Sequence, residues 1–234
     1  MCGRYSLSTP DDVLREFFEL DEDEDLAPRS LEPRFNIAPT QEAAVIRARR
    51  DSGARVLSFL RWGLVPYWAE DLSIGSRMIN ARSETAAEKR AFERCFRRRR
   101  CLVPADGFYE WKKTSAGKQP YWFHSPVGAP FAFAGLWDSW RQTDGEPLQS
   151  FTILTTEPNE VTAEIHDRMP VILDEGSYSK WLDPSIEDPA DLQPLLVPYP
   201  ADRINRYTVS TLVNSPANDS PECQRRVEEP LMLF

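Results

Sequence analysis

Cysteine and histidine are scarce in this chain, with four and two copies among 234 residues. Cys2, Cys95, Cys101 and Cys223 are too widely spaced for a paired metal-binding pattern and too few to staple a fold of this size, so free thiols are expected and no metal. No stretch approaches the roughly 18 to 20 apolar residues that cross a bilayer. Residues 1–10 also lack the apolar run of a signal peptide, so a soluble, cytoplasmic protein without membrane contact is expected. The chain contains no phosphate-binding Gly-x-x-x-x-Gly-Lys loop, no Gly-x-Ser-x-Gly elbow, no His-Glu-x-x-His and no Cys-x-x-Cys. Those absences exclude the commonest nucleotide hydrolases, serine esterases, zinc proteases and dithiol oxidoreductases. Nothing implies a cofactor.

Lysine is rare as well, at five copies against 23 arginines, and the net charge is −9. An acidic total argues against nucleic acid, because phosphate binding needs a basic surface. The total conceals a division. Residues 11–32 hold ten acidic and two basic side chains, a net of −8, whereas residues 77–113 hold eleven basic and five acidic, a net of +6. The run Arg97-Arg98-Arg99-Arg100 in that basic middle fits a solvated helix end as well as it fits nucleic-acid contact.

A 41% hydrophobic and 11% aromatic content is enough for one large domain with a filled core. The pattern is α+β, with many short strands: residues 44–48, 55–62, 101–109, 121–124, 131–137 and 151–155 are rich in β-formers and bounded by Gly, Pro or charged clusters. Thr9-Pro10-Asp11-Asp12 reads as a helix start running to about Leu20, with Pro at the first helical position. A loop follows through residues 21–25 and Pro28, Pro33 and Pro39. Helices are expected at residues 83–96 and 175–182, and no repeat or linker divides the chain.

Cys2 is the most informative single residue. Removal of Met1 would put a thiol and a free α-amine on one residue, a pair that captures aldehydes: the amine condenses to a Schiff base and the thiol closes a five-membered thiazolidine. With an α-amino pKa near 8, roughly a tenth of the amines are neutral at pH 7. Arg4 is expected to lower both the amine and the thiol pKa. Position 2 alone reads first as a small residue that only permits methionine removal.

Three further residues stand out. His166 lies in the polar cluster Glu164-Ile165-His166-Asp167-Arg168-Met169-Pro170, where it is either functional or a structural partner of Asp167; the other histidine, His124, reads as packed or exposed. Glu110 follows a strongly apolar strand between Tyr109 and Trp111, where partial desolvation raises a carboxylate pKa toward neutrality. Facing water, or pairing with the arginine run, are its alternatives. Asn80 precedes an expected helix for which Ser83 is a candidate cap.

Six ordered blocks carry a resemblance: Met1-Cys2-Gly3-Arg4-Tyr5; Phe35-Asn36-Ile37-Ala38-Pro39-Thr40; Trp62-Gly63-Leu64-Val65-Pro66-Tyr67-Trp68; Asn80-Ala81-Arg82-Ser83-Glu84-Thr85; residues 101–111; and Ile165-His166-Asp167-Arg168-Met169-Pro170. With them the chain resembles the SRAP family (SOS-response-associated peptidase) over about residues 2–182, and more weakly near Val213-Asn214-Ser215 and Asn218-Asp219. The resemblance implies a single α+β domain with a β-rich, barrel-like, mainly antiparallel core and peripheral helices. It implies covalent self-crosslinking to abasic sites in single-stranded DNA, with Cys2, Asn80, Glu110 and His166 as catalytic residues. Arg4, Arg77, Arg82 and Arg90 become candidates for phosphate contacts, Asn36, Pro39 and Trp68 fall in DNA-facing segments, and Thr155 is a further site candidate.

Under this reading Glu110 or His166 opens the closed sugar, Glu110 shuttles protons, His166 addresses the sugar hydroxyl or phosphate and reversal, and Asn80 orients Cys2. Trp68, Trp62 or Tyr67 stacks on bases. A monomer whose partner is single-stranded DNA with abasic sites is expected, nucleoid-associated when bound. Two other classes stay open: a peptidase with Cys2 as amino-terminal nucleophile, acting on other chains or only on its own Met1, and a non-enzymatic single-stranded DNA-binding module.

Overall fold

The structure, a computed structural model, describes residues 2–21, 31–115, 117–141 and 146–228. Among the described residues thirteen strands are numbered in chain order. Five of them, β3 (Glu42–Ala48), β4 (Arg55–Trp62), β6 (Arg100–Ala105), β9 (Phe131–Trp140) and β10 (Leu148–Thr156), pair in the order β10-β4-β3-β6-β9. The pairing of β9 with β10 closes that row into a barrel, which removes its open edges. Only the β4–β10 contact within the ring is parallel. The short strands β5 (Asn80–Arg82) and β11 (Met169–Pro170) add to β10, and β12 (Ile172–Leu173) adds to β9.

A second sheet has the order β13-β8-β7-β1-β2, from β1 (Tyr5–Leu7), β2 (Arg34–Ile37), β7 (Gly107–Thr114), β8 (Gly117–His124) and β13 (Asn205–Thr208). Its inner face packs on the barrel through aromatic rings. Tyr5 meets Trp62 edge-on at 5.2 Å and Phe133 at 5.9 Å, and all three are buried. Such pairs add about 0.5 to 1.5 kcal/mol each beyond their area burial. Trp62 is therefore a core side chain, its indole N–H spent on the Ile79 carbonyl at 2.9 Å, and it does not stack on bases.

Local sequence is overruled in several places. The expected strand over 101–109 is two strands that meet at Asp106, whose carboxylate accepts from the Ser8 and Thr9 backbone N–H groups and both hydroxyls. That contact also takes Thr9 away from helix capping, so Pro10 is the N-cap and the first helix runs Asp11–Phe17, short of Leu20. The expected helix over 83–96 is two short ones, Ser83–Ala86 and Glu93–Arg98, joined by turns. Arg82 occupies the N-cap position of the first without a side-chain cap, and Ser83 is its buried first residue. Residues 175–182 are helical as expected, first as a 3-10 turn and then as α-helix. Most of the acidic stretch after Leu20, with Pro28, lies outside the described residues.

The arginine run divides: Arg97 and Arg98 are exposed in the last turn of the helix Glu93–Arg98, as a solvated helix end, while Arg99 and Arg100 turn inward. Arg100 is buried and donates to the carbonyls of Trp181, Phe96 and Arg97 at 2.5, 2.7 and 2.6 Å, and to that of Asp183. Arg99 pairs with buried Asp138, and Arg98 with Glu187 at 3.0 Å.

Candidate active site

Strand pairing delivers the amino terminus to Glu110. Tyr5 lies opposite Phe108 and Ser6 opposite Gly107, and the Tyr109 N–H donates to the Arg4 carbonyl at 3.0 Å. This antiparallel register carries residues 2–4 along β7 toward Glu110. Cys2 is fully buried there, its thiol donating weakly to the Arg4 carbonyl at 3.8 Å.

Asn80 arrives from the barrel side. The loop leading to it leaves β4 at Gly63, where backbone crosses backbone: a Cβ on Gly63, whose φ is +118°, would stand 2.6 Å from the Gly75 carbonyl oxygen, so only glycine fits. β5 then aligns parallel with β10, setting Asn80 opposite Ile153. From that position the Asn80 amide donates to the Cys2 carbonyl at 2.8 Å. Its Oδ1 is buried with no hydrogen-bond partner among the described residues.

Glu110 is 3% exposed, and burial pushes its carboxyl up to about 7. The thiol of Cys2 is also pushed up, by burial first and by the nearby Glu110 charge second. Arg4 does not activate it. The Arg4 guanidinium is turned away, donating to Asn36 Oδ1 at 2.7 Å and to the Val213 and Asn214 carbonyls at 2.6 and 3.2 Å, which corrects the expectation that it lowers the thiol pKa.

His166 is half-buried, and that burial holds its ring below the ordinary histidine value. Nδ1 accepts from the Arg168 backbone N–H at 3.1 Å and lies 2.9 Å from the Asp167 carboxylate. In the neutral ring, with Nδ1 accepting, Nε2 carries the proton and can donate. His166 and Glu110 line one open cleft of about 470 Å³ with Arg4, Trp111, Lys113, Lys118 and Asn214. Asn80 is tied to Cys2 by a hydrogen bond, Cys2 lies near enough to Glu110 for the carboxylate charge to disfavour its thiolate, and Glu110 shares a cleft with His166, so the fold brings together the four residues singled out in the sequence.

The other candidates divide. Arg77, Arg82 and Arg90 are exposed, Pro39 is half-buried, and Trp68 is half-buried with the Arg90 guanidinium 4.6 Å from its ring centre. Tyr67 beside it is exposed, with Arg94 at 4.5 Å. Asn36 and Thr155 are interior. Asn36 donates to the carbonyls of Val213, Ser215 and Asn218, and Thr155 Oγ1 lies 3.5 Å from the Ala81 carbonyl. Asn36 therefore acts on the cleft through Arg4. His124 stacks on Trp122 at 4.6 Å, the packed alternative.

Sequence reading missed four cleft residues, Trp111, Lys113, Lys118 and Asn214. It also missed Arg168, which grips Glu84 at 2.6 and 2.9 Å and the Thr155 carbonyl at 2.5 Å, fastening the His166 loop to the helix after Asn80. Adjacency to Glu110 and to His166 was the available signal for Trp111 and Arg168. Among the described residues no cluster of three His, Cys, Asp or Glu side chains could hold a metal, and no helix is long and apolar enough to cross a membrane.

The family model for SOS response associated peptidase (SRAP) matches residues 1–216. The chain belongs to the SRAP family. Among the relatives of this SRAP chain is the abasic site processing protein YoqW of Bacillus subtilis (strain 168), 46% identical over 95% of this chain and 98% of its own length. The abasic site processing protein HMCES of Xenopus tropicalis is 32% identical over 97% of this chain and 78% of its own. A crystal structure of a protein from Bacteroides thetaiotaomicron superposes with a TM-score of 0.84 at 27% identity, covering 97% of this chain and 100% of that one. One from Bordetella bronchiseptica gives 0.75 at 31% identity over 89% and 100%.

Proposed function

We propose that this SRAP protein processes abasic sites in DNA, and that it does so by covalent capture of the open-chain sugar in single-stranded DNA by Cys2 once Met1 has been removed. The observation that carries the reading is the Asn80 hydrogen bond to the Cys2 carbonyl, which holds the end of the chain beside buried Glu110. The names of the curated relatives support the substrate.

The chemistry follows from the protonation states. A carboxyl with a pKa of about 7 is present in both forms at neutral pH, so Glu110 can give a proton and take one back. The Cys2 amine adds to the sugar aldehyde, and Glu110 protonates the departing hydroxyl, which leaves as water and gives the Schiff base. The resulting carboxylate then takes the Cys2 thiol proton while sulfur bonds the imine carbon and the nitrogen lone pair is restored. Burial keeps the thiol protonated until that moment, so Glu110 is needed as its base. His166 addresses the sugar hydroxyl or flanking phosphate and serves reversal. An imine left without ring closure is open to β-elimination, which cuts the strand, so capture by sulfur protects the damaged site.

The test is incubation of protein confirmed to lack Met1 with single-stranded DNA carrying one abasic site, read on a denaturing gel. A heat-stable adduct that needs both the abasic site and Cys2 is expected. No adduct would sink the proposal and turn attention to peptide hydrolysis, the activity in the family's description.

A further inference from the structure

We propose that Lys113 and Lys118 form a phosphate clamp at the rim of the cleft, holding the backbone of the DNA strand whose abasic sugar reaches Cys2; this rests on the DNA reading given above. The chain has five lysines, and two of them face each other across the β7–β8 hairpin, Lys113 directly opposite Lys118. Like charges directly opposite in an antiparallel pair repel, so this arrangement is unfavourable for the hairpin itself. Both side chains are exposed, and among the described residues neither makes an ion pair. Some exposed cations are answered by acids, as in Arg98 with Glu187 and Arg203 with Asp174, and these two lysines are not. The pair is left for an anion from outside.

Placement identifies that anion. β1 pairs with β7 through Tyr5 and Ser6, residues 2–4 run on toward Glu110, and the cleft is lined from Glu110 past Trp111 to the lysines. The Trp111 indole N–H is fixed by Asn214 Oδ1 at 2.7 Å, making a rigid wall between hairpin and reaction site. At about 3.4 Å per residue, Lys113 stands roughly 10 Å along the strand from Glu110. That is too far to touch the reacting sugar and suits phosphates flanking it. An ammonium on a flexible stem serves a sliding polyanion as a point charge, without fixing sequence.

The experiment measures binding of an intact single-stranded oligonucleotide by fluorescence anisotropy across a salt series, for wild type and for Lys113→Gln/Lys118→Gln. Each phosphate contact on a single strand contributes about 0.7 to the slope of log K against log salt. The double variant should therefore lose about 1.4 from the slope and bind several-fold more weakly at low salt. Lys112→Gln/Lys180→Gln removes the same charge away from the cleft and should leave the slope unchanged, and Lys113→Arg/Lys118→Arg should restore it. A slope and affinity equal to wild type in the Gln pair would overturn the clamp even if wild type crosslinks normally. A lysine-dependent slope in a protein that forms no adduct would support the clamp and reject the covalent reading.

Discussion

The side-chain amide of Asn80 donates to the main-chain carbonyl of Cys2 at 2.8 Å, joining the barrel to the first residues of the chain. A chain terminus is ordinarily the least ordered part of a domain. Here strand pairing with β7 and this one amide hold it in place.

Asn80→Ala removes that tether. Since one neutral hydrogen bond contributes about 0.5 to 1.5 kcal/mol, the protein should remain folded. Misplacing the nucleophile by about 1 Å can cost on the order of 100-fold in rate. Single-turnover adduct formation should accordingly fall steeply in Asn80→Ala while its melting curve shifts little. An unchanged rate would remove Asn80 from the mechanism.

Glu110 couples stability to pH. Its folded value of about 7 lies above the ordinary 4.5, so the native state binds this proton more tightly than the unfolded chain does. The associated stability is complete below about pH 4.5 and is lost as pH rises through 7, a change of about 3 kcal/mol. In Glu110→Gln that dependence disappears, so denaturant titrations should show the variant gaining about 3 kcal/mol on wild type between pH 4 and pH 8. The same variant should form adduct on the order of 100-fold more slowly or worse. His166, with its value held below the ordinary one by burial, stays neutral in the upper part of this window. A stability difference that does not move with pH would contradict a buried, raised Glu110.

Asn36 tests whether Arg4 is placed by the interior. The buried amide accepts from Arg4 and donates to three carbonyls of the segment 213–218. Asn36→Ala should cost about 2 to 3 kcal/mol, because carbonyls lose their donors away from water. It should also weaken DNA binding as strongly as Arg4→Ala does. Loss of stability with wild-type DNA affinity would mean that Arg4 contributes nothing to the cleft.

Asp138 ties the exposed aromatic loop to the barrel. Its carboxylate accepts from the Tyr67 N–H at 2.9 Å and from the Arg99 guanidinium, and it is 1% exposed. Asp138→Ala leaves Arg99 without its partner, a loss of about 3 to 5 kcal/mol for a buried pair. Hydrogen exchange at the Tyr67 amide should accelerate beyond the global destabilisation. Equal protection in both proteins would show that the loop is held by other contacts.

Much of this was legible in the sequence where the signal is local. The strand at 55–62 is rich in β-formers and appears with those bounds, and the blocks around Cys2, Asn80, Glu110 and His166 hold four residues that the fold brings close together. What escaped depends on contacts distant in sequence. Asp106 breaks a seemingly continuous strand because residues 97 and 98 positions away need its carboxylate. Arg100 is interior because the carbonyls of Trp181 and Asp183 converge on it, which four consecutive arginines cannot reveal. Lys113 and Lys118 become a pair only through hairpin register.

The central claim is that the bond to DNA is made by both nucleophiles of Cys2, and mass spectrometry of the digested adduct tests it most directly. Imine formation expels one water and ring closure expels nothing, so the linked peptide should begin at Cys2 and weigh the sum of peptide and sugar fragment less one water. Its thiol should resist alkylation by iodoacetamide. A linkage mapped to another residue, or a Cys2 thiol that alkylates fully while the adduct survives heating, would contradict the account.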